Sequence, residues 1–195
     1  MTAPLVPKDD GGTELAEEER EGLIPSYITL RSELNEAEQA NILEAEEWAL
    51  ARKRDLLEEK FLNNLHKRMY GNVWRWAGRY RTSGKNIGVD AYRIPAELRQ
   101  LLDDCRYWIE NGIYEPDEIA LRFHHRIVSI HCYPNGNGRH ARLAADLLLK
   151  SMGHERFSWG GKNLVDVGET RERYIAALQA ADEHDIGPLL EFVRS

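Results

Sequence analysis

Cysteine is almost missing from this chain. Only Cys105 and Cys132 occur among its 195 residues. This pair provides neither the disulfide framework of a small secreted domain nor the paired ligands of a structural zinc site. Low cysteine content is typical of proteins that fold in a reducing compartment, so we expect a cytoplasmic protein.

Long apolar segments and an excess of positive charge are missing as well. The chain has no run of about 18 apolar residues, and its N-terminus lacks the charged-then-apolar order of a signal peptide. Its 26 lysines and arginines are outnumbered by 33 aspartates and glutamates, which leaves a formal net charge of -7. Because nucleic-acid phosphates and anionic lipids repel an acidic surface, we expect neither general nucleic-acid binding nor membrane binding.

The apolar residues that are present, 42% of the chain, suffice for one core and follow helical spacing. Residues 1–27 are predicted to form a disordered tail, because their first part is rich in Glu, Asp, Gly, Pro and Thr. Residues 28–56 contain an amphipathic helix, and residues 57–195 form the main domain. Prolines open several helices of that domain and glycines end others, at Pro95, Pro116, Pro188, Gly71, Gly112 and Gly153. The pattern predicts an all-α fold.

The stretch from His131 to Arg142 lies between two predicted helices and reads His-Cys-Tyr-Pro-Asn-Gly-Asn-Gly-Arg-His-Ala-Arg. Gly136 and Gly138 permit positive φ and leave backbone N–H groups uncovered, while the next helix directs its positive N-terminal end at the same space. Arg139 and Arg142 share a helix face, and guanidinium groups suit phosphate oxygens. His131 has an ordinary pKa near neutrality and suits proton removal from a hydroxyl. The stretch predicts an anion-binding loop with a general base.

This stretch resembles the signature of the Fic/Doc (Fido) family, H-x-F-x-[D/E]-G-N-G-R-x-x-R, with Tyr133 as an aromatic replacement for the phenylalanine. The identical positions are His131, Gly136, Asn137, Gly138, Arg139 and Arg142. The subgroup called mobile mystery protein B has a similar loop, P-N-G-N-G-R-H-A-R, and the likeness runs from about Gly22 to the C-terminus. The resemblance implies a Fido-type helical bundle with a small β-hairpin flap over the active-site loop.

The resemblance also implies an enzyme that transfers AMP from ATP to a Ser, Thr or Tyr hydroxyl of a target protein. His131 would be the catalytic base, and Arg139 would neutralise charge on the phosphates. The nucleotide-binding residues would be Asn135, Gly136, Asn137, Gly138, Arg139 and Arg142. The family places a magnesium-binding acid where this chain has Asn135, and an amide oxygen is a neutral and poorer ligand for Mg²⁺ than a carboxylate.

Residues 80–94 contain β-branched and aromatic residues around Gly84 and Gly88, which predicts an irregular hairpin. In the family a flap at this place docks the target backbone as an added strand. The target-docking residues would be Lys85, Asn86, Ile87 and Gly88. A plain surface hairpin is the alternative interpretation. Gly84-Lys85 is not a P-loop, because no glycine stands five residues earlier and neither Ser nor Thr follows the lysine.

Many Fic proteins carry an inhibitory helix with the pattern [S/T]-x-x-x-E-[G/N], whose glutamate pairs with the second arginine of the signature. Ser32 and Glu36 fit this pattern in the predicted helix of residues 28–56, while Ala37 departs from it. A Glu36–Arg142 pair would then compete with the γ-phosphate of ATP. The alternative is that Glu36 is a solvated residue on an acidic helix.

Three functions remain open from the sequence. The leading one is AMP transfer to a target protein. The second is another nucleotidyl or phosphoryl transfer or removal on the same loop, as the Doc branch phosphorylates its target. The third is a nucleotide-binding, toxin-like module whose catalysis has lapsed at Asn135. By resemblance to its subgroup, the protein would also pair with a helix-turn-helix partner in a toxin–antitoxin-like system.

Overall fold

The computed structural model describes residues 15–161 and 168–195, and this part of the chain is mainly helical. The helices are α1 (Glu17–Arg20), α2 (Arg31–Leu50), α3 (Glu59–Tyr70), α4 (Ile94–Asn111), α5 (Pro116–Ile130), α6 (Asn137–Ser151), α7 (Glu169–Asp182) and α8 (Gly187–Val193). Short 3₁₀ turns lie at Ala91–Arg93 and Trp159–Gly161. The predicted all-α fold class is confirmed. No helix within the described ranges is both long and apolar enough to span a membrane.

Prolines and glycines mark the beginnings and ends of several helices, as the sequence predicts. Pro116 is the first residue of α5, where its missing N–H costs no helical hydrogen bond. Gly112 follows α4 in the left-handed conformation, with φ of 58°, which glycine adopts without strain. Gly136 precedes α6 with φ of 78°. The loop between α5 and α6 is therefore bounded by a helix end and a glycine-capped helix start.

Two apolar clusters hold the helices together. The first buries one face each of α2, α3 and α4 against parts of α5 and α6, with Leu65, Ile94 and Ile130 fully buried. The second joins the other face of α5 and α6 to α7 and α8, around Leu121 and Leu149. Because α5 and α6 pack against each other and belong to both clusters, the loop between them is anchored from two sides.

The predicted hairpin at residues 80–94 is not confirmed. Within this segment the structure has bends followed by the 3₁₀ turn, and no strand. Its long-range backbone bonds go to the end of α5 and the residues after it: the N–H of Arg81 donates to the carbonyl of Cys132 (3.0 Å), and that of Val89 donates to Ile130 (3.3 Å). The flap is therefore an irregular cover fixed by long-range contacts.

The predicted tail, residues 1–27, needs correction in its second half, while residues 1–14 lie outside the described residues. Leu15 is only 3% exposed, and an isolated antiparallel bridge joins Leu23 to Trp74. The N–H of Ile24 donates to Val73 (2.8 Å). This acidic segment is ordered because its backbone and Leu15 are bound by the rest of the fold, which composition alone does not reveal. The predicted division at residue 56 stays a prediction.

Candidate active site

His131 ends α5 in an uncommon backbone conformation. Its φ of 57° and ψ of 62° are left-handed, which non-glycine residues seldom adopt. The guanidinium of Arg81 holds this geometry by donating from Nε to the His131 carbonyl at 2.6 Å. The imidazole is buried, and burial together with the charge of Arg81 lowers its pKa to about 4. The ring is therefore neutral at cellular pH and ready to accept a proton.

Arg81 also ties the flap to the loop. Its guanidinium donates to the carbonyls of Ser83 (2.9 Å), Val89 and Ile130 (3.4 Å). Gly88 lies directly against His131, where a Cβ would stand 2.6 Å from the Cβ of the histidine. Its φ of 103° also favours glycine. Of the predicted docking residues, Asn86, Ile87 and Gly88 are exposed, whereas the Lys85 side chain is buried.

The loop keeps its shape through side chains that bind its own backbone. Asn137 was predicted to bind nucleotide, but its buried amide spans the loop: it accepts from the Tyr133 N–H (2.9 Å) and donates to the Tyr133 carbonyl (2.8 Å). His66 supports the other side. It accepts at Nδ1 from the Gly78 N–H (3.0 Å), so it carries its proton on Nε2 and donates to the Asn135 carbonyl (3.0 Å). Asn137 and His66 thus act on loop geometry.

The anion-binding surface lies at the start of α6. A Cβ on Gly136 would stand 2.5 Å from the Tyr70 ring, so only glycine fits there. The space beside Gly138 is open: an added Cβ would meet only Nη1 of Arg142, at 3.8 Å. The first backbone N–H groups of a helix have no intrahelical acceptor, and they point at an anion placed here. Arg139 and Arg142 add positive charge at the same helix end.

Arg139 is paired with a glutamate of α2. Its Nη2 lies 2.7 Å from Oε2 of Glu38, which is buried, and the other carboxylate oxygen of Glu38 accepts from Trp74 Nε1 (2.7 Å). The structure therefore places Glu38, and not Glu36, against the loop. Glu36 and Ser32 are exposed, two residues or more from the one that reaches the loop, and the arginine that is bound is Arg139.

The residues at the predicted metal position do not fit a protein-built magnesium site. Oδ1 of Asn135 accepts from the N–H of Gly136 at 2.5 Å, so its single amide oxygen is already engaged. Within residues 15–161 and 168–195, no group of three or more His, Cys, Asp or Glu could hold a metal ion. Magnesium prefers several oxygen ligands in octahedral geometry.

Comparison with known proteins agrees with this geometry. Residues 56–149 match the family model described as the Fic/DOC family. The chain contains a Fic/DOC domain. The resemblance seen at His131 to Arg142 is therefore confirmed, while the place in the mobile mystery protein B subgroup stays a prediction.

Curated relatives include the protein adenylyltransferase Fic of Aedes aegypti, which is 28% identical over 148 residues and covers 74% of this chain. The protein adenylyltransferase fic-1 of Caenorhabditis elegans matches at the same identity and coverage. The chain spans only 28% of the length of each. Among solved structures, a Fic-1 fragment from C. elegans has a TM-score of 0.64 at 24% identity, covering 89% of this chain and 50% of that one. The N-terminal Fic domain of a Bep effector from Bartonella quintana has a TM-score of 0.71 at 15% identity, covering 92% of each chain.

The signature of the Fic/DOC domain did not point to Arg81 or Glu38. Arg81 is a single charge in an irregular segment, and nothing in its sequence neighbourhood marks it. Glu38 has a usable signal, because it stands at helical spacing from Leu34, Asn41 and Ala45, the buried face of α2. A glutamate on the apolar face of a helix requires a partner, which here is Arg139.

Proposed function

We propose that this Fic/DOC domain transfers AMP from ATP to a hydroxyl side chain of a target protein. The observation that carries the proposal is the neutral, buried His131 placed at one end of a loop whose other end is an anion-binding helix start. Pure nucleotide binding does not need a base at that place. The adenylyltransferase names of the curated relatives support the same reaction.

In this reaction the target hydroxyl gives its proton to His131, and its oxygen forms a bond to the α-phosphorus of ATP. The bond from that phosphorus to the bridging oxygen of the β-phosphate breaks, and pyrophosphate leaves. The N-terminal amides of α6 and the guanidinium of Arg139 offset negative charge on the phosphates, and Arg142 receives the γ-phosphate. Positioning and electrostatic stabilisation dominate phosphate transfers of this kind.

We infer further that Glu38 restrains the reaction. Its carboxylate occupies the guanidinium that the phosphates require, so productive binding of ATP needs Glu38 to release Arg139. This assigns to Glu38 the inhibitory role that the sequence pattern placed at Glu36. Asn86, Ile87 and Gly88 form the exposed part of the flap that would meet the target backbone. The helix-turn-helix partner, the target and the cytoplasmic location stay predictions.

The proposal is tested with ATP labelled at either the α- or the γ-phosphate, using the parent chain and Glu38→Gln with a cell lysate as the source of targets. AMP transfer predicts that α-label, and no γ-label, becomes covalently bound to protein above the level seen in lysate alone. Transfer of γ-label above that level would instead indicate phosphorylation. Binding of ATP with transfer of neither label, in both chains, would indicate a nucleotide-binding module.

A further inference from the structure

Arg142 is held from outside the signature. Its guanidinium carbon lies 5.6 Å from the centroid of the Tyr174 ring, within the range of a cation–π contact. Tyr174 belongs to α7 and to the second apolar cluster, beyond the residues 56–149 that match the family model. A C-terminal helix therefore reaches the phosphate end of the site.

Tyr174 is itself fixed by a buried histidine of α5. Its hydroxyl lies 3.0 Å from Nε2 of His124, and the Tyr174 side chain is buried against Phe192 with ring centroids 5.8 Å apart. His124 is fully buried beside Trp159, with 4.7 Å between ring centroids. Neither Tyr174 nor His124 can swing away without disturbing the second cluster.

The protonation state of His124 determines how it meets Tyr174. Burial, and after it the nearby charge of Arg142, lowers the pKa of His124 to about 3, so the ring is neutral at cellular pH. A neutral imidazole can accept the phenol O–H at Nε2, which fixes the Tyr174 ring and keeps the lone pairs of its oxygen available to a guanidinium, which can only donate.

We propose that Tyr174 and His124 are positioning residues that hold the Arg142 guanidinium ready for the terminal phosphate of a nucleoside triphosphate. This inference rests on the proposed function, in which Arg142 receives the γ-phosphate. A long arginine side chain loses conformational freedom when it binds a ligand, and fixing it beforehand reduces that cost. Only a nucleotide with a γ-phosphate binds Arg142 in this way and gains affinity from the reduced cost, so the contacts favour ATP over ADP.

The test compares Tyr174→Phe with the parent full-length chain by isothermal titration with ATP and with ADP. The variant keeps the ring and its packing but loses the hydroxyl by which His124 fixes the ring beside Arg142. We expect the Kd for ATP to rise about fivefold, the size of a typical lost hydrogen bond. The Kd for ADP should change less than about twofold. Both titrations are repeated in Glu38→Gln chains, where Arg139 is released.

Two further variants separate positioning from packing. Phe192→Leu disturbs the same cluster without touching the polar chain, and it should leave the ratio of the ATP and ADP dissociation constants at the parent value. His124→Gln keeps an acceptor for the phenol O–H and should retain most of the preference for ATP, whereas His124→Leu should lose it as Tyr174→Phe does.

Three results overturn the inference. Equal effects of Tyr174→Phe on ATP and ADP would show that the hydroxyl does not act through Arg142, and a matching change in Phe192→Leu would assign the effect to packing. In both cases the proposed function would stand, because the parent binds and discriminates the nucleotides. If neither the parent nor the Glu38→Gln chain binds ATP or ADP, the proposed function is overturned and this inference with it.

Discussion

At the scale of single residues, the site depends on a histidine whose backbone is strained and whose side chain is kept neutral. The left-handed conformation of His131 costs free energy. Arg81 offsets this cost by binding the His131 carbonyl, and its charge, after burial, disfavours the protonated ring and so lowers its pKa. One arginine thus serves both the shape of the loop and the neutral state of the candidate base.

Replacing this histidine should separate transfer from binding. In His131→Ala we expect the transfer rate to fall by about 10²-fold or more, the usual contribution of a general base, while the Kd for ATP stays close to the parent value. His125→Ala on the same helix is the matched control and should transfer normally. Because the pKa of His131 is about 4, the parent rate should be flat from pH 8 to pH 6. A loss of half the rate near pH 6.5 would contradict this pKa, and normal transfer by His131→Ala would exclude the base role.

A second residue-scale prediction concerns Asn135. In Asn135→Asp a carboxylate takes the place of the amide whose oxygen now accepts from Gly136. A carboxylate has more acceptor capacity and a full negative charge, so it can keep that hydrogen bond and still attract a divalent cation. We expect ATP binding by the variant to become stronger when Mg²⁺ is added, measured by titration with Mg²⁺ and with EDTA. If Mg²⁺ affects parent and variant alike, position 135 is not the metal position.

At the scale of elements, α2 and the flap both contact the loop, through Glu38 and Arg81. Glu38→Gln keeps an oxygen for Trp74 Nε1 but removes the charge that pairs with Arg139. We expect ATP affinity and transfer to rise about fivefold or more, the scale of a typical coupling between two sites. Glu36→Gln changes an exposed residue of the same helix and should alter neither quantity. Equal behaviour of the two variants, both folded by circular dichroism, would remove the inhibitory role from Glu38.

The N-terminal segment holds the flap from its outer side. The carboxylate of Glu19, in α1, forms an ion pair with Lys85 and accepts from Ser83 Oγ at 2.7 Å, and both charged side chains are largely buried. Breaking such a pair leaves a buried charge without its partner. In Glu19→Gln we therefore expect faster amide hydrogen exchange in residues 82–89, and the exposed neighbour Glu18→Gln should not show it. Unchanged exchange in Glu19→Gln would mean that the flap is held from the loop side alone.

The flap and α2 also mark the limit of what could be predicted from sequence. The helices followed from local signals, since Pro116 and Gly112 carry their backbone preferences wherever they stand. The flap did not, because its shape depends on Arg81 meeting carbonyls about 50 positions away. The inhibitory pattern placed the glutamate at Glu36, whereas the apolar face of α2 contains Glu38. Periodicity would have been the better guide there, because Glu38 stands at helical spacing from the buried Leu34 and Ala45.

At the scale of the whole molecule, the signature contains the residues of the loop, and the two apolar clusters position the residues around the loop. The signature predicts His131, Gly136 and Arg139 as site residues, since it specifies a loop that closes locally. It does not predict Tyr174, because α7 meets α5 through the second cluster and through long-range polar contacts. Long-range packing therefore places residues near the loop that a local motif omits.

The same packing makes the stability of the molecule sensitive to mild acid. Four histidines are buried, His66, His124, His131 and His140, and burial is the main cause that lowers the pKa of each: to about 4 for His131 and His140, to about 3 for His124, and well below the ordinary value for His66. Below about pH 6.5 the histidines of the unfolded chain bind protons, whereas the buried histidines of the folded chain do not. The contribution of each histidine to the free energy of unfolding is complete above that pH. It is lost as the pH falls toward the pKa of that histidine in the folded state, by about 1.4 kcal/mol per pH unit.

We therefore expect the free energy of unfolding to fall steeply from pH 6.5 to pH 5, by up to about 5 kcal/mol per pH unit if all four histidines act together. Domains of this kind are stable by only about 5–15 kcal/mol, so unfolding by about pH 5 is expected. Urea denaturation at pH 7, 6 and 5 measures the slope. His124→Gln removes one titrating group and should make the slope shallower, whereas the exposed His154→Gln should leave it unchanged. A stability that is the same at pH 7 and pH 5 would mean that the buried imidazoles take up protons within the folded state, and His131 would then be charged and unable to act as the base below its ordinary pKa.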